Sequence, residues 1–331
     1  MTHGLAAGLL AVLIVAGGCS NDRDALTIYS GREESLVEPL LEDFAQQTGI
    51  DIDVRYGDSV DLALLIAEEG SNTPADVFFS QSPGTVGFLD SQGMLADLDD
   101  AAFEAVDSRF KAGDGKWVGI TARQRVLVYN TEIVDADDLP DSVLDLTDDR
   151  FAGEVALAPA NASFQDFVSA MRQVIGDEEA ARWLDGMAAN ESPTYADNSS
   201  IVAAVGRGEV PMGLVNHYYN HRALAEDPDQ PSRNYVFPNG DIGALLIAST
   251  VTVIEGSDRQ GDAERFVEFL LSPEAQEYFS EETFEYPLAS KVEPAENLRP
   301  LDSIDAPDFD IGALGGDLRS TVQMIVESGL L

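Results

Sequence analysis

A chain of 331 residues, 44% of them hydrophobic, is long enough for two packed lobes, since single cores stop growing near ~250–300 residues. Sixty acidic residues against 19 basic ones give a formal net charge of −41, spread along the chain rather than gathered in a tail. That field excludes nucleic acid as a partner, because no basic stripe holds phosphates, and it fits a halophilic or salt-tolerant source in which salt screens the self-repulsion.

The apolar run over residues 5–16 is too short to span a bilayer. It leads into Ala16-Gly17-Gly18-Cys19, which resembles the cleavage box of bacterial lipoproteins. Residues 1–18 therefore read as a signal peptide, Cys19 as a lipidated first residue, and 19–24 as a polar leader. Cys19 is the only cysteine, so no internal disulfide is possible.

Residues 25–30 read as a strand. Leu36, Leu40, Leu41 and Phe44 recur at helical spacing and predict a helix over 35–47, ended by Gly49. Ile50, Ile52, Val54 and Tyr56 alternate as in a half-buried strand. A second helix over 60–69 and a third strand over 75–80 complete a βαβαβ order, which predicts a parallel sheet covered by helices. Further on, strands are expected at 117–120, 126–130, 153–158 and 212–216. Helices are expected at 164–175, 178–187, 197–206 and from 218 to 225. Residues 243–254 form a long apolar β segment, followed by helices at 262–271, 273–279 and 318–328. Long β segments on both sides of the middle block suggest two crossings between lobes, near 121–128 and 245–253. Two crossings make a hinge and a closing cleft.

The segment Leu214-Val215-Asn216-His217-Tyr218-Tyr219 carries the sharpest chemical signal. Two adjacent phenols sit at the carboxyl end of a strand, where α/β sheets place ligands. Phenolate oxygens suit a hard, highly charged cation such as Fe(III). His217 and His221, at i, i+4 spacing, could form half of a zinc site, but no cysteine joins them and they read better as surface or supporting residues. Asp197-Asn198-Ser199-Ser200 looks like a helix start able to hold an anion. Arg123 and Arg125 fall at the first expected crossing and are candidate anion clamps. Gly31-Arg32-Glu33-Glu34 follows the first strand at its carboxyl end. No nucleophile elbow, phosphate-cradling loop or H-E-x-x-H motif is present, so an enzyme is not expected.

Several segments resemble the periplasmic ferric-ion-binding proteins of ABC-type iron importers: residues 26–32 (LTIYSGR), 73–79 (TPADVFF), 195–199 (YADNS), 206–209 (GRGE) and 214–219 (LVNHYY). They are collinear with that family over nearly all of the chain beyond the leader. The resemblance implies an α/β, two-lobed periplasmic-binding-protein fold of class II with two hinge strands. Lobe 1 would comprise 25–122 and 250–295, and lobe 2 would comprise 123–249 and 296–331. It implies Fe(III) held as cargo by Tyr218 and Tyr219, with carbonate or phosphate as synergistic anion. Asn198, Asn216, Asn161 and Ser163 match the positions where relatives hold that anion, with Arg123 and Arg32 as further candidates. Where some relatives carry a histidine ligand this chain has Glu33. Its neighbour Glu34 replaces a tyrosine of others, Gln81 replaces a glutamate ligand, and Phe164 stands near a tyrosine ligand of another subgroup. Glu33 or Glu34 would then join the metal. The implied partners are an importer permease and a membrane tether through Cys19, with an extracytoplasmic location and a monomeric state. A binding protein for a small oxyanion or organic solute, and a secreted carboxylate-based hydrolase, are the alternatives.

Overall fold

The computed structural model describes residues 25–289, 292–307, 309 and 314–331. The expected signal segment, Cys19 and the polar leader lie outside the described residues.

The first half alternates as its sequence predicts through β1 (Leu26–Ser30), α1 (Glu34–Thr48), β2 (Ile52–Tyr56), α2 (Ser59–Glu69) and β3 (Val77–Ser80), and then adds two unexpected helices, α3 (Pro83–Ser91) and the short α4 (Asp100–Glu104). Helix α1 buries Leu36, Leu40, Leu41 and Phe44 along one stripe. It ends at Gly49 in the left-handed region (φ 70°), whose N–H donates to the Ala45 carbonyl. Strand β1 pairs in parallel with β2 on one side and β3 on the other. Helix α3 is legible only in retrospect. Its Pro83-Gly84 start reads as a turn, yet proline at the first helical position costs no hydrogen bond.

Strand β4 (Val118–Asn130) is the largest departure from expectation. Two strands around a crossing are predicted, and one continuous strand of 13 residues is found. Residues 118–124 pair with β8, and residues 125–129 pair with β6. The polar run Arg123-Gln124-Arg125 interrupts the apolar pattern without interrupting the strand: all three side chains are buried, and both guanidinium groups donate to backbone carbonyls. The second half comprises β5 (Val155–Ala156), α5 (Ala162–Ile175), α6 (Asp177–Ala189), α7 (Asn198–Gly206), β6 (Met212–Asn216), α8 (His217–Glu226) and β7 (Ser232–Tyr235). The chain returns through β8 (Leu246–Val253), α9 (Gln260–Leu270), α10 (Pro273–Glu281), β9 (Tyr286–Pro287) and α11 (Leu314–Ser328).

The hydrogen-bonded strand order is β2-β1-β3-β8-β4-β6-β5, with β7 and β9 also on β4. Each half has its own aromatic centre. Phe44 and Phe266 meet edge-on at 5.1 Å in the first, and Phe167 and Trp183 at 5.7 Å in the second. The architecture is a two-lobed α/β fold in which β4 and β8 run side by side between the lobes. Helix α11 packs on α3 as well as on α5 and α6.

Candidate metal and anion centre

Strand β6 is buried along its whole length and hands directly to α8. Gly213 permits this close packing, because a Cβ there would lie 2.2 Å from the Ile201 side chain of α7. The turn from Asn216 to His217 therefore fixes where Tyr218 and Tyr219 point. Their rings stack at 4.1 Å with an interplanar angle of 29°, and they are 1% and 8% exposed. Both phenols share charged neighbours: Arg32 and Arg123 act on each, Glu285 on Tyr218 and Glu33 on Tyr219. The two rings belong to the same hydrophobic core, and both phenols share Arg32 and Arg123 as charged neighbours. Burial raises both phenols above their usual range, well above it for Tyr218, so the metal-free pair is neutral.

Three guanidinium groups surround the pair. Arg32 forms a bidentate ion pair with Glu285 at 3.0 and 2.5 Å, with both side chains almost fully enclosed. Burial alone would raise the Glu285 carboxyl, but Arg32 holds it below the usual carboxylate range. Arg123 donates to the carbonyls of Gln81 and Ala248, while its Nε and Nη1 are buried without partners. Arg125 donates to the Leu214 carbonyl at 3.0 Å and more weakly to Asn216 Oδ1 at 3.5 Å. Burial pulls Arg125 down to about 9, which leaves it protonated at neutral pH. Neither Arg123 nor Arg125 forms an ion pair with a carboxylate among the described residues, although Glu285 and Asp166 act on Arg123 at longer range, so the three guanidinium groups leave the cluster net positive in the metal-free state.

The expected anion-binding residues form one network. Asn161 Oδ1 accepts the Ser163 N–H at 3.1 Å, the Ser163 hydroxyl at 2.6 Å and the Asn198 amide at 3.4 Å. Asn198 Oδ1 in turn accepts the Asn216 N–H at 3.3 Å. Asn161, Asn198 and Asn216 stand at the amino ends of α5, α7 and α8, so three helix N-termini converge. Their free N–H groups and partial positive charge favour an anion. The Asn216 amide nitrogen is buried without a partner.

The two glutamates diverge. Glu33 lies by Tyr219, with a carboxylate oxygen 3.7 Å from Arg222 of α8. Glu34 sits with Glu38 and Glu42 around Tyr56 on α1's outer side. His217 and His221 are 5.8 Å apart, and among the described residues no group of three or more His, Cys, Asp and Glu is placed to hold a metal. The zinc expectation thus finds no companion ligands. Sequence reasoning passed over Glu285, Ser82 and Asp166. Ser82 of the first half donates to Asp166 of α5 at 2.7 Å, joining the two halves of the chain. Burial raises Asp166 to about 7.

A family model described as bacterial extracellular solute-binding protein matches residues 72–311. The chain is 31% identical to the Fe(3+)-binding periplasmic protein of Serratia marcescens, over 92% of this chain and 90% of that protein. It is 32% identical to a major ferric iron-binding protein of Neisseria meningitidis, over 92% and 93%. Iron-bound HitA from Pseudomonas aeruginosa superposes with a TM-score of 0.88 at 34% identity, covering 92% of this chain and 99% of that one. These relatives are named as binding proteins, not enzymes. The chain belongs to the bacterial extracellular solute-binding proteins, within their family of periplasmic ferric-ion-binding proteins.

Proposed function

We propose that this chain captures Fe(III) outside the cytoplasm, using the Tyr218–Tyr219 pair and a synergistic anion, and delivers it to the permease of an ABC-type importer. The observation that carries the reading is the pair itself: two stacked, buried phenols that share Arg32 and Arg123 as charged neighbours. Arg32 and Glu285 cancel one another, leaving Arg123 and Arg125. Adding a trivalent ion while both phenols lose their protons leaves three positive charges unbalanced. A divalent anion such as carbonate, together with Glu33, neutralises them, and this balance favours an anion beside the metal over a metal alone. Phosphate fills the same role. The anion would lie on Asn161, Ser163, Asn198 and Asn216, within reach of the unpartnered Arg123 nitrogens. Arg32 would act mainly through its ion pair. Glu33 is the better carboxylate candidate for the metal, since Glu34 faces Tyr56.

Ligands drawn from both lobes would be satisfied together only when the cleft is closed, so binding favours closure. The lobes would divide as 25–122 with 250–295 and 123–249 with 296–331. Cys19 would tether a monomer to the membrane by its acylated end, and Cys19→Ser should release the protein from the membrane fraction. The function is tested by titrating Fe(III) with carbonate into metal-free protein. A visible phenolate-to-iron band that is absent in Tyr218→Phe/Tyr219→Phe supports it. A colourless protein stabilised by carbonate or phosphate alone would instead indicate an oxyanion-binding protein.

A further inference from the structure

A second cavity, of about 250 Å³, lies on another face of α8. His217, Asn220, His221 and Leu224 recur along that face and line it, whereas Tyr218 and Tyr219 do not. Its other walls come from β4, β7, β9 and residues 297–299. The wall composition departs sharply from the rest of the chain. Where acidic residues outnumber basic ones by 60 to 19, this cavity is lined by Arg233, Arg299 and two histidines, and by no Asp or Glu.

Some polar atoms in its wall lack partners, although Arg233 Nη1 donates to the Gln230 and Ser232 carbonyls and Asn220 Oδ1 accepts the Ser232 hydroxyl. His217 Nδ1 accepts the Gln124 N–H at 3.1 Å, so in the neutral ring Nε2 carries the proton and is a donor. That Nε2 is buried beside the Phe284 backbone, without a well-formed hydrogen bond to it. The Gln124 side-chain amide nitrogen is likewise buried and unpartnered, and the two residues are 3% and 2% exposed. Asn234 donates to the His217 carbonyl at 2.9 Å, and its Oδ1 has no partner. Unmade hydrogen bonds of buried groups cost about 1–3 kcal/mol each, so the unpartnered Gln124 Nε2, beside the poorly satisfied His217 Nε2, points to an occupant that accepts hydrogen bonds. Val126, Leu224, Val236 and Leu298 supply apolar surface between them.

We propose that this cavity is a second binding site, for a small organic anion with a compact apolar body. Its acid group would meet Arg233, Arg299, Gln124 Nε2 and His217 Nε2, and its body would rest on the aliphatic side chains. The site is distinct from the tyrosine centre and does not depend on iron being the cargo. Benzenesulfonate is a suitable probe, because a sulfonate is a poor ligand for iron and the ring matches the apolar wall. Metal-free protein is co-crystallised with benzenesulfonate and titrated with it calorimetrically, alongside Arg233→Ala/Arg299→Ala. Both arginines are exposed at the rim, so this variant should fold. The expected result is the sulfonate seated in this cavity, and an affinity at least tenfold weaker in the double variant. Water alone in the cavity, the probe seated only in the tyrosine cleft, or equal affinity in the variant would overturn the proposal.

Discussion

Glu285→Gln should be among the most damaging single changes available to this protein, although position 285 lies far in sequence from the tyrosine pair. The carboxylate accepts two hydrogen bonds from Arg32, one from Thr121 at 3.1 Å and one from Thr283 at 3.1 Å, and it is fully buried. Removing its charge leaves Arg32 enclosed with no counter-charge beside two further guanidinium groups. Breaking a buried pair from one side costs about 3–5 kcal/mol, which for a chain of this size lowers Tm by roughly 4–7 °C. Removing both partners is milder, so Arg32→Gln/Glu285→Gln should recover at least half of the loss. The same change removes a negative neighbour that raises Tyr218, so iron should bind at lower pH in the variant that still folds. Urea unfolding of wild type, both single variants and the double variant reads the cycle. A loss under about 1 kcal/mol in Glu285→Gln, or additive losses in the double variant, would refute a tightly interacting buried pair.

Other consequences are as specific. Both phenols are neutral in the metal-free protein, so iron must displace two protons. Apparent affinity should then rise about 100-fold per pH unit below neutrality, measured by competition with a chelator, and a slope of one proton or none would contradict ligation by both. Asp166 is raised to about 7, so its folded form is stable when protonated and loses stability as pH rises from about 4 to about 7; Asp166→Asn should flatten that part of the pH–stability curve, and an unchanged curve would place the titration elsewhere. Asn198→Ala cuts the bridge between Asn161 and Asn216 and should weaken iron binding in carbonate by about tenfold, roughly 1.4 kcal/mol, beside a modest metal-free Tm loss from the Asn216 N–H it leaves unsatisfied; unchanged iron affinity would mark Asn198 as purely structural. With a net charge of −41, Tm should climb as sodium chloride is raised from low concentration to the molar range, and a flat response would remove the halophilic reading.

The scaffold was legible because its signals are local. Helix α1 announces itself through Leu36, Leu40, Leu41 and Phe44, and β6 and its tyrosines through an apolar run that stops at Asn216. The hinge was half legible. Strand β4 hides its continuity behind Arg123-Gln124-Arg125, residues that belong in a strand only because β6, β8 and the cleft supply partners from elsewhere in the chain. The charge-balancing part of the site was not legible at all. Arg32 and Glu285 are 253 positions apart, and in a chain with 60 acids nothing local distinguishes Glu285 or Asp166 from a solvated surface carboxylate. Burial distinguishes them, and burial is a property of the fold.

Diffraction from iron-loaded crystals at the iron absorption edge tests the central claim most directly. The anomalous peak should fall between the two lobes, within bonding distance of both the Tyr218 and Tyr219 phenol oxygens, with anion density over the amino ends of α5, α7 and α8. A peak bonded to neither oxygen, or one at His217 and His221 instead, would contradict it.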